Sequence, residues 1–266
     1  MVRRRDEDLD LAAAGLLIAC EEYPRLDVDE YLTRLDLMAA ELGRSLDLEA
    51  EPQRIAAALS AYLSGDMGFH GNQEEYFDPR NSFLNDVLDR RTGIPITLSV
   101  VYMEVARRLA LPVVGAGLPG HLIVKYVAGE DDILIDPFNG GAILSREDCH
   151  ELVKTAYGPD VPFRESFLAA PTKRQILSRI LYNLKGLYLR NDDFARAQGT
   201  VELLLAISPW DLEEIRDRGM LSYRLHAYDS AVRDLETYLR HCPQATDAAN
   251  VRQTLEAVQV LGREER

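Results

Sequence analysis

His121 and Asp136 are the two residues of this 266-residue chain whose types and placing suit acid–base chemistry. His121 opens an apolar stretch that runs to Val127, and Asp136 closes the next one, Ile133-Leu134-Ile135-Asp136. The polar segment Ala128–Asp132 between them reads as a hairpin turn. A turn centred near residue 129 sets His121 roughly opposite Asp136, and a longer turn shifts that register. Imidazole exchanges a proton near neutral pH, and a carboxylate on one ring nitrogen fixes its tautomer. Two other readings stand beside chemistry: a satisfied polar pair that closes the hairpin, and a site that binds a ligand or partner. His70, Asn72, Asn81 and Asn85 are candidate lining residues of the same cleft. Asparagines at such positions also cap helices and turns. His70, His121 and Asp136 lack metal-ligand spacing, so neither a metal nor a cofactor is expected.

Cys20, Cys149 and Cys242 are odd in number and far apart, which gives neither a disulfide framework nor a zinc pattern. Cys149 and His150 are adjacent, but on a helix neighbouring side chains point about 100° apart. All three read as ordinary thiols.

The formal charge is −14, from 44 acidic and 30 basic residues, and no basic run interleaved with aromatics offsets it. Nucleic acid is therefore not expected as a partner. The longest largely apolar run, Leu11 to Cys20, is half the length of about 20 residues that a membrane span requires. It reads as a buried or amphipathic helix, with no membrane partner. Arg3-Arg4-Arg5 leads into Asp6, Glu7 and Asp8, not an apolar stretch, so a signal peptide is not expected and the cytoplasm is.

The elements that must position His121 and Asp136 follow from periodicity. Residues 1–64 read as three helices, the second starting at Asp27 with Glu30 three residues on and the third at Pro52. Residues 65–80, with three glycines, read as a loop. Asn81 is expected to cap a helix ending at Arg91, and a second helix begins near Pro95 with Leu98, Val101, Val105 and Leu109 as its buried stripe. Strands follow at 111–114, 121–127 and 133–136, then a helix capped by Ser145 with Asp148.

Beyond residue 178 the chain repeats with a period of 34. Phe194 and Tyr228, Ala197 and Ala231, and Pro209 and Pro243 are each 34 apart. The stretches 178–211 and 212–245 each hold a helix, a turn and a second helix, and Thr246–Leu261 reads as a capping helix. This resembles the tetratricopeptide repeat, except that Lys185 and Ser222 stand where that repeat has a small residue and an aromatic. Two repeats are too few for a free-standing solenoid, so stacking on the preceding domain is expected. They bind a protein partner or act as a structural buttress.

Four motifs carry a wider resemblance: Asn81-Ser82-Phe83-Leu84-Asn85, Arg91-Thr92-Gly93-Ile94-Pro95-Ile96, Leu118-Pro119-Gly120-His121, and Asp136-Pro137-Phe138. With them the chain resembles the bacterial SirB-type family, a transglutaminase-like core followed by tetratricopeptide repeats. The implied fold class is α+β: a transglutaminase-like (papain-like) core with an N-terminal helical segment, then an all-α repeat domain. The implied domains are 1–170, with the helical segment 1–64 and the core 65–170, and 171–266.

Active members of that superfamily use a Cys at a helix N-terminus, a His on a following strand and an Asp on the next. His121 and Asp136 match the last two, and the Cys position falls on Pro95. The resemblance therefore implies that the usual nucleophile is absent. Thr97 and Ser99, in the first turn or so of the same helix, are the remaining hydroxyl candidates; as structure, Thr97 caps the helix and Ser99 packs near Tyr102 or Met103. A thiol from Cys20 or Cys149 is a remoter source. The expected function is a non-catalytic regulatory or scaffolding interaction protein, with its partner on the 178–245 helices or in the His121 cleft. The alternative is a hydrolase or acyl-transferase on amides or peptides, using His121 and Asp136 with Thr97, Ser99 or water.

Overall fold

The computed structural model describes residues 5–129, 131–158 and 160–264. They divide along the chain into two compact units, the first ending at Ile180 and the second starting at Leu181.

In the first unit the Leu11 run forms α1 (Leu11–Ala19), capped by Asp10, and eight of its nine residues are buried. Among the described residues no helix is long and apolar enough to cross a membrane. Asp27 accepts the Glu30 amide at the start of α2 (Val28–Ser45), which buries Leu35, Met38, Ala39 and Leu42. Pro52 opens α3 (Pro52–Ser60), where its missing N–H costs nothing, and a π-helical turn extends it to Asp66.

Residues 65–80 are not all loop. His70–Gly71 (β1) pairs in parallel with Thr92–Gly93 (β2), across α4 (Leu84–Arg90). Asn81 does not cap α4: it ends a single 3₁₀ turn begun by Asp78, and Phe83 occupies the cap position. The reason is its burial, with its amide turned inward to the Glu75 and Tyr76 carbonyls.

The central helix is α5 (Pro95–Arg108), buried continuously from Pro95 to Ala106. A helix apolar on all sides must be enclosed on all sides. Here α1, α2 and α4 pack on it together with β3 and β4. The sheet is β3 (Val113–Ala116), β4 (Ile123–Tyr126), β5 (Ile133–Asp136) and β6 (Ala142–Leu144), antiparallel throughout and in that order. Strand β6 follows a turn with two left-handed glycines, Gly140 and Gly141. Ser145 and Asp148 then close a reciprocal capping box on α6 (Arg146–Tyr157).

Helix α7 (Lys173–Arg190) carries the boundary into the second unit, which continues with α8 (Phe194–Ile207), α9 (Leu212–Arg224), α10 (Tyr228–His241) and α11 (Ala248–Glu264). The 34-residue period is visible in the backbone: Asp192 and His226, 34 apart, both take the left-handed conformation that turns one helix into the next. Ala197 and Ala231 are wholly buried. Gly219 lets α9 and α10 touch, since a β-carbon there would lie 2.8 Å from Leu235. Ser222 is enclosed and accepts from the Gln198 amide. The last helix begins at Ala248 rather than Thr246, because the Val251 amide makes the first helical bond to the Asp247 carbonyl.

Candidate functional site

The β4–β5 register differs from the one centred on residue 129. Val124 pairs with Ile135 and Tyr126 with Ile133, a two-residue displacement from direct opposition of His121 and Asp136. A slip of two keeps every side chain on its face, whereas a slip of one inverts it. His121 lies ahead of β4, after Gly120 in the left-handed conformation, and reaches Asp136 diagonally. Its Nε2 is 2.9 Å from Asp136 Oδ1.

Asp136 has no solvent-exposed side-chain surface, while His121 retains 13%. Besides the imidazole, Asp136 Oδ1 accepts the amides of Phe138 (3.0 Å) and Asn139 (3.4 Å), and Oδ2 accepts Asn139 Nδ2 at 2.7 Å. Burial alone raises the affinity of this carboxyl for a proton. The His121 bond and charge, with the Asn139 donors, outweigh it and hold Asp136 below the ordinary carboxylate value. An ionised carboxylate only accepts, so His121 Nε2 donates in this bond and Nδ1 is the ring nitrogen left for another partner. Among the described residues Nδ1 has no hydrogen-bond partner.

Phe138 stands edge-on to the His121 ring at 6.0 Å, and Tyr76 stands edge-on to Phe138 at the same separation. Phe138 is held by β1: its carbonyl accepts the Gly71 amide at 3.1 Å, and a β-carbon on Gly71 would lie 2.5 Å from both that carbonyl and the Phe138 ring. The unforeseen parallel pair β1–β2 thus fixes the aromatic wall of the site.

The hydroxyl candidates are committed elsewhere. Thr97 Oγ1 donates to the Asn81 carbonyl (2.7 Å), has the Ile94 carbonyl at 3.1 Å, and accepts the Ile94 amide, so it ties the start of α5 to the 3₁₀ turn. Ser99 does not simply pack near Tyr102 or Met103: its Oγ donates to the Leu122 carbonyl at 2.9 Å, joining α5 to the segment leading into β4. Each is buried, and neither is hydrogen-bonded to His121. Pro95 occupies the first position of α5 and is buried. Thr97→Val should lower stability by about 1–2 kcal/mol, the scale of a lost cap or internal hydrogen bond. Chemical-denaturation midpoints check this.

Cys149 lies in the core behind the sheet, with Ala116, Leu118 and Leu134. Burial, then the Asp148 and Asp136 charges, push its thiol up to about 11, the opposite of an activated nucleophile. Burial and Glu21 likewise raise Cys20. His150 stacks on Phe163, ring centres 4.0 Å apart.

Asn72 Nδ2 donates to Asn81 Oδ1 at 3.1 Å, and Asn72 Oδ1 accepts the Glu75 amide. These asparagines shape the loop bearing Tyr76. Asn85 is enclosed, and its Oδ1 has no hydrogen-bond partner. His70 Nδ1 pairs with the Gly68 carbonyl, and among the described residues no three His, Cys, Asp or Glu side chains gather as a metal site. Sequence reasoning missed Asn139 and Arg179. The Asp-x-x-Asn spacing of 136–139 is a turn signal that points to the first. No local signal pointed to Arg179, whose Nη2 lies 3.4 Å from the His121 carbonyl.

Comparison with known proteins agrees with this architecture. Residues 29–182 match the model of the transglutaminase-like superfamily, and residues 184–256 that of the tetratricopeptide repeat. A UPF0162 protein of Xylella fastidiosa (strain Temecula1) is 37% identical over 251 residues, covering 93% of this chain and 89% of its own. One from Vibrio cholerae is 31% identical over 247 residues, 91% of each chain. UPF0162 protein YchA of Escherichia coli K12 is 30% identical over 236 residues, 86% of each. No solved structure matches significantly. With a transglutaminase-like core, following tetratricopeptide repeats and relatives matched over nearly their whole length, the chain belongs to the bacterial UPF0162 family, in keeping with its SirB-type resemblance.

Proposed function

We propose that this chain is a non-catalytic regulatory or scaffolding protein of the cytoplasm that recognises a protein partner. The observation that carries the reading is the state of the α5 N-terminus. Pro95 stands where the superfamily's nucleophile belongs, and the Thr97 and Ser99 hydroxyls are bonded to the Asn81 and Leu122 carbonyls. A hydroxyl nucleophile needs its base within hydrogen-bond reach. The tetratricopeptide unit supports the partner half of the reading. It carries a groove of about 430 Å³ lined by Leu189, Phe194, Met220 and Tyr223 among others.

A second reading draws on His121 itself. With Asp136 fixing Nε2, its Nδ1 is the ring nitrogen left to serve as a general base, which suits a hydrolase using water as the nucleophile. Turnover of ester, amide and peptide substrates by the wild type and by His121→Ala separates the two. The expected result is no turnover by the wild type above the His121→Ala rate. A wild-type rate about 100-fold higher, the scale of general-base catalysis, would overturn the non-catalytic reading.

A further inference from the structure

Arg179 is a half-buried cation of the first unit with no carboxylate beside it among the described residues. Arg34, Arg80, Arg90, Arg107, Arg108 and Arg146 each meet a carboxylate within ion-pair distance. Arg179 meets none among the described residues, although the chain carries 44 acidic residues. Nor does it stand in open water. It is half-buried, one Nη lies 3.6 Å from where a β-carbon on Gly117 would be, and the other reaches only the His121 carbonyl, at 3.4 Å. Burial lowers its proton affinity from the ordinary arginine value. A desolvated charge without a counter-charge is costly, and buried or half-buried charges are found paired.

We propose that Arg179 binds a carboxylate of a peptide ligand, beside the aromatic wall formed by Tyr76 and Phe138. Its guanidinium has five N–H donors in a planar fork, and the His121 carbonyl engages one of them at a long distance. A carboxylate fits the fork edge-on with two parallel bonds. One unpaired guanidinium balances a single negative charge, and the −14 net charge of the chain opposes a phosphate dianion. His121, whose carbonyl Arg179 reaches, stands edge-on to Phe138 and Phe138 to Tyr76, and this chain of edge contacts supplies apolar surface for the carbon skeleton. The inference rests on the proposed reading of this chain as a protein that recognises a partner, and it names a chemistry recognised beside His121.

The test is a titration of the full chain with acetyl-glycyl-glycine, followed through the Arg179 Nε–Hε and His121 ring resonances. It is run in about 0.15 M salt, so that long-range attraction between exposed charges is screened. Acetyl-glycyl-glycine amide is the uncharged control, and acetyl-aspartate amide distinguishes a side-chain carboxylate from a chain terminus. The acids should shift the Arg179 resonance saturably and the amide should not. Arg179→Met should weaken binding about tenfold or more, as loss of a charge-assisted bond requires, and Arg179→Lys several-fold, because the fork is lost and the charge kept. Equal binding of acid and amide, or no saturable shift, overturns the proposal; so does undiminished binding by Arg179→Lys, which serves if Arg179→Met does not fold. Turnover is not read here, so an active wild type would remove the non-catalytic reading and leave this one standing.

Discussion

Lys185→Met is expected to destabilise the C-terminal unit by about 3–5 kcal/mol, the cost of breaking a buried ion pair from one side. Lys185 stands 34 residues before Gly219, at the position where the second repeat needs its smallest residue. The first repeat places a lysine there, with only 10% of its side chain exposed. Its Nζ donates to both Glu214 oxygens at 2.7 Å and to Asp217 Oδ2 at 2.5 Å. Burial, opposed by the Lys185 bond and assisted by the Asp217 and Asp211 charges, raises the Glu214 carboxyl above its ordinary value. Methionine fills the stem's volume and leaves the buried Glu214 carboxylate without its cation beside Asp217, which keeps Arg216 at 2.7 Å.

The pH dependence follows in sign. A carboxyl whose folded value is raised binds a proton more readily in the fold, so folding gains relative stability as pH falls. The Lys185→Met deficit should therefore shrink on acidification. Adding Glu214→Met should restore much of the loss, since an apolar pair in place of a buried ion pair is often neutral or better. Denaturation midpoints, with hydrogen exchange of the α8–α10 amides to assign the loss to this unit, decide it. A deficit under about 1 kcal/mol, the size of a surface pair, would mean that water reaches the cluster.

Asp136→Ala should be the most damaging change at the His121 site, lowering stability by about 2–4 kcal/mol. Four donors lose their acceptor together: His121 Nε2, the Phe138 and Asn139 amides, and Asn139 Nδ2. Asp136→Asn keeps the shape and one acceptor, so its cost should be smaller. The folded carboxyl lies below its unfolded value, so its contribution is fully present above the unfolded value and is lost as pH falls through the folded one. Wild-type stability should therefore fall below about pH 4, and Asp136→Asn should flatten that part of the curve. Unfolding midpoints between about pH 6 and 2 test this; identical slopes for wild type and variant would refute the linkage.

Much of the fold was legible in the residues because its signals are local. Asp27 with Glu30 and Ser145 with Asp148 are caps within one helical turn, and the structure has both. The 34-residue period survived because each repeat needs the same small side chains and the same left-handed turn, at Asp192 and again at His226. The His121–Asp136 contact was legible because the alternation of the two strands assigns both side chains to one face, and the two-residue register difference preserves that face.

What only the tertiary structure decided is where unpaired groups found partners far along the chain. Nothing near Thr97 or Ser99 foretells the carbonyls of Asn81 and Leu122, or near His70 its parallel pairing with Thr92. Asn81 read as a cap by type, yet burial turned its amide inward. Lys185 read as a departure from the repeat until Glu214 and Asp217 came to face it from α9. Arg179 gave no local sign at all. The amino-acid sequence by itself determined the helices, the turns, the repeat and the absence of a cysteine at residue 95. The tertiary structure decided which polar groups are satisfied and which are left open, because a hydrogen bond is set by distance in space and not by separation along the chain.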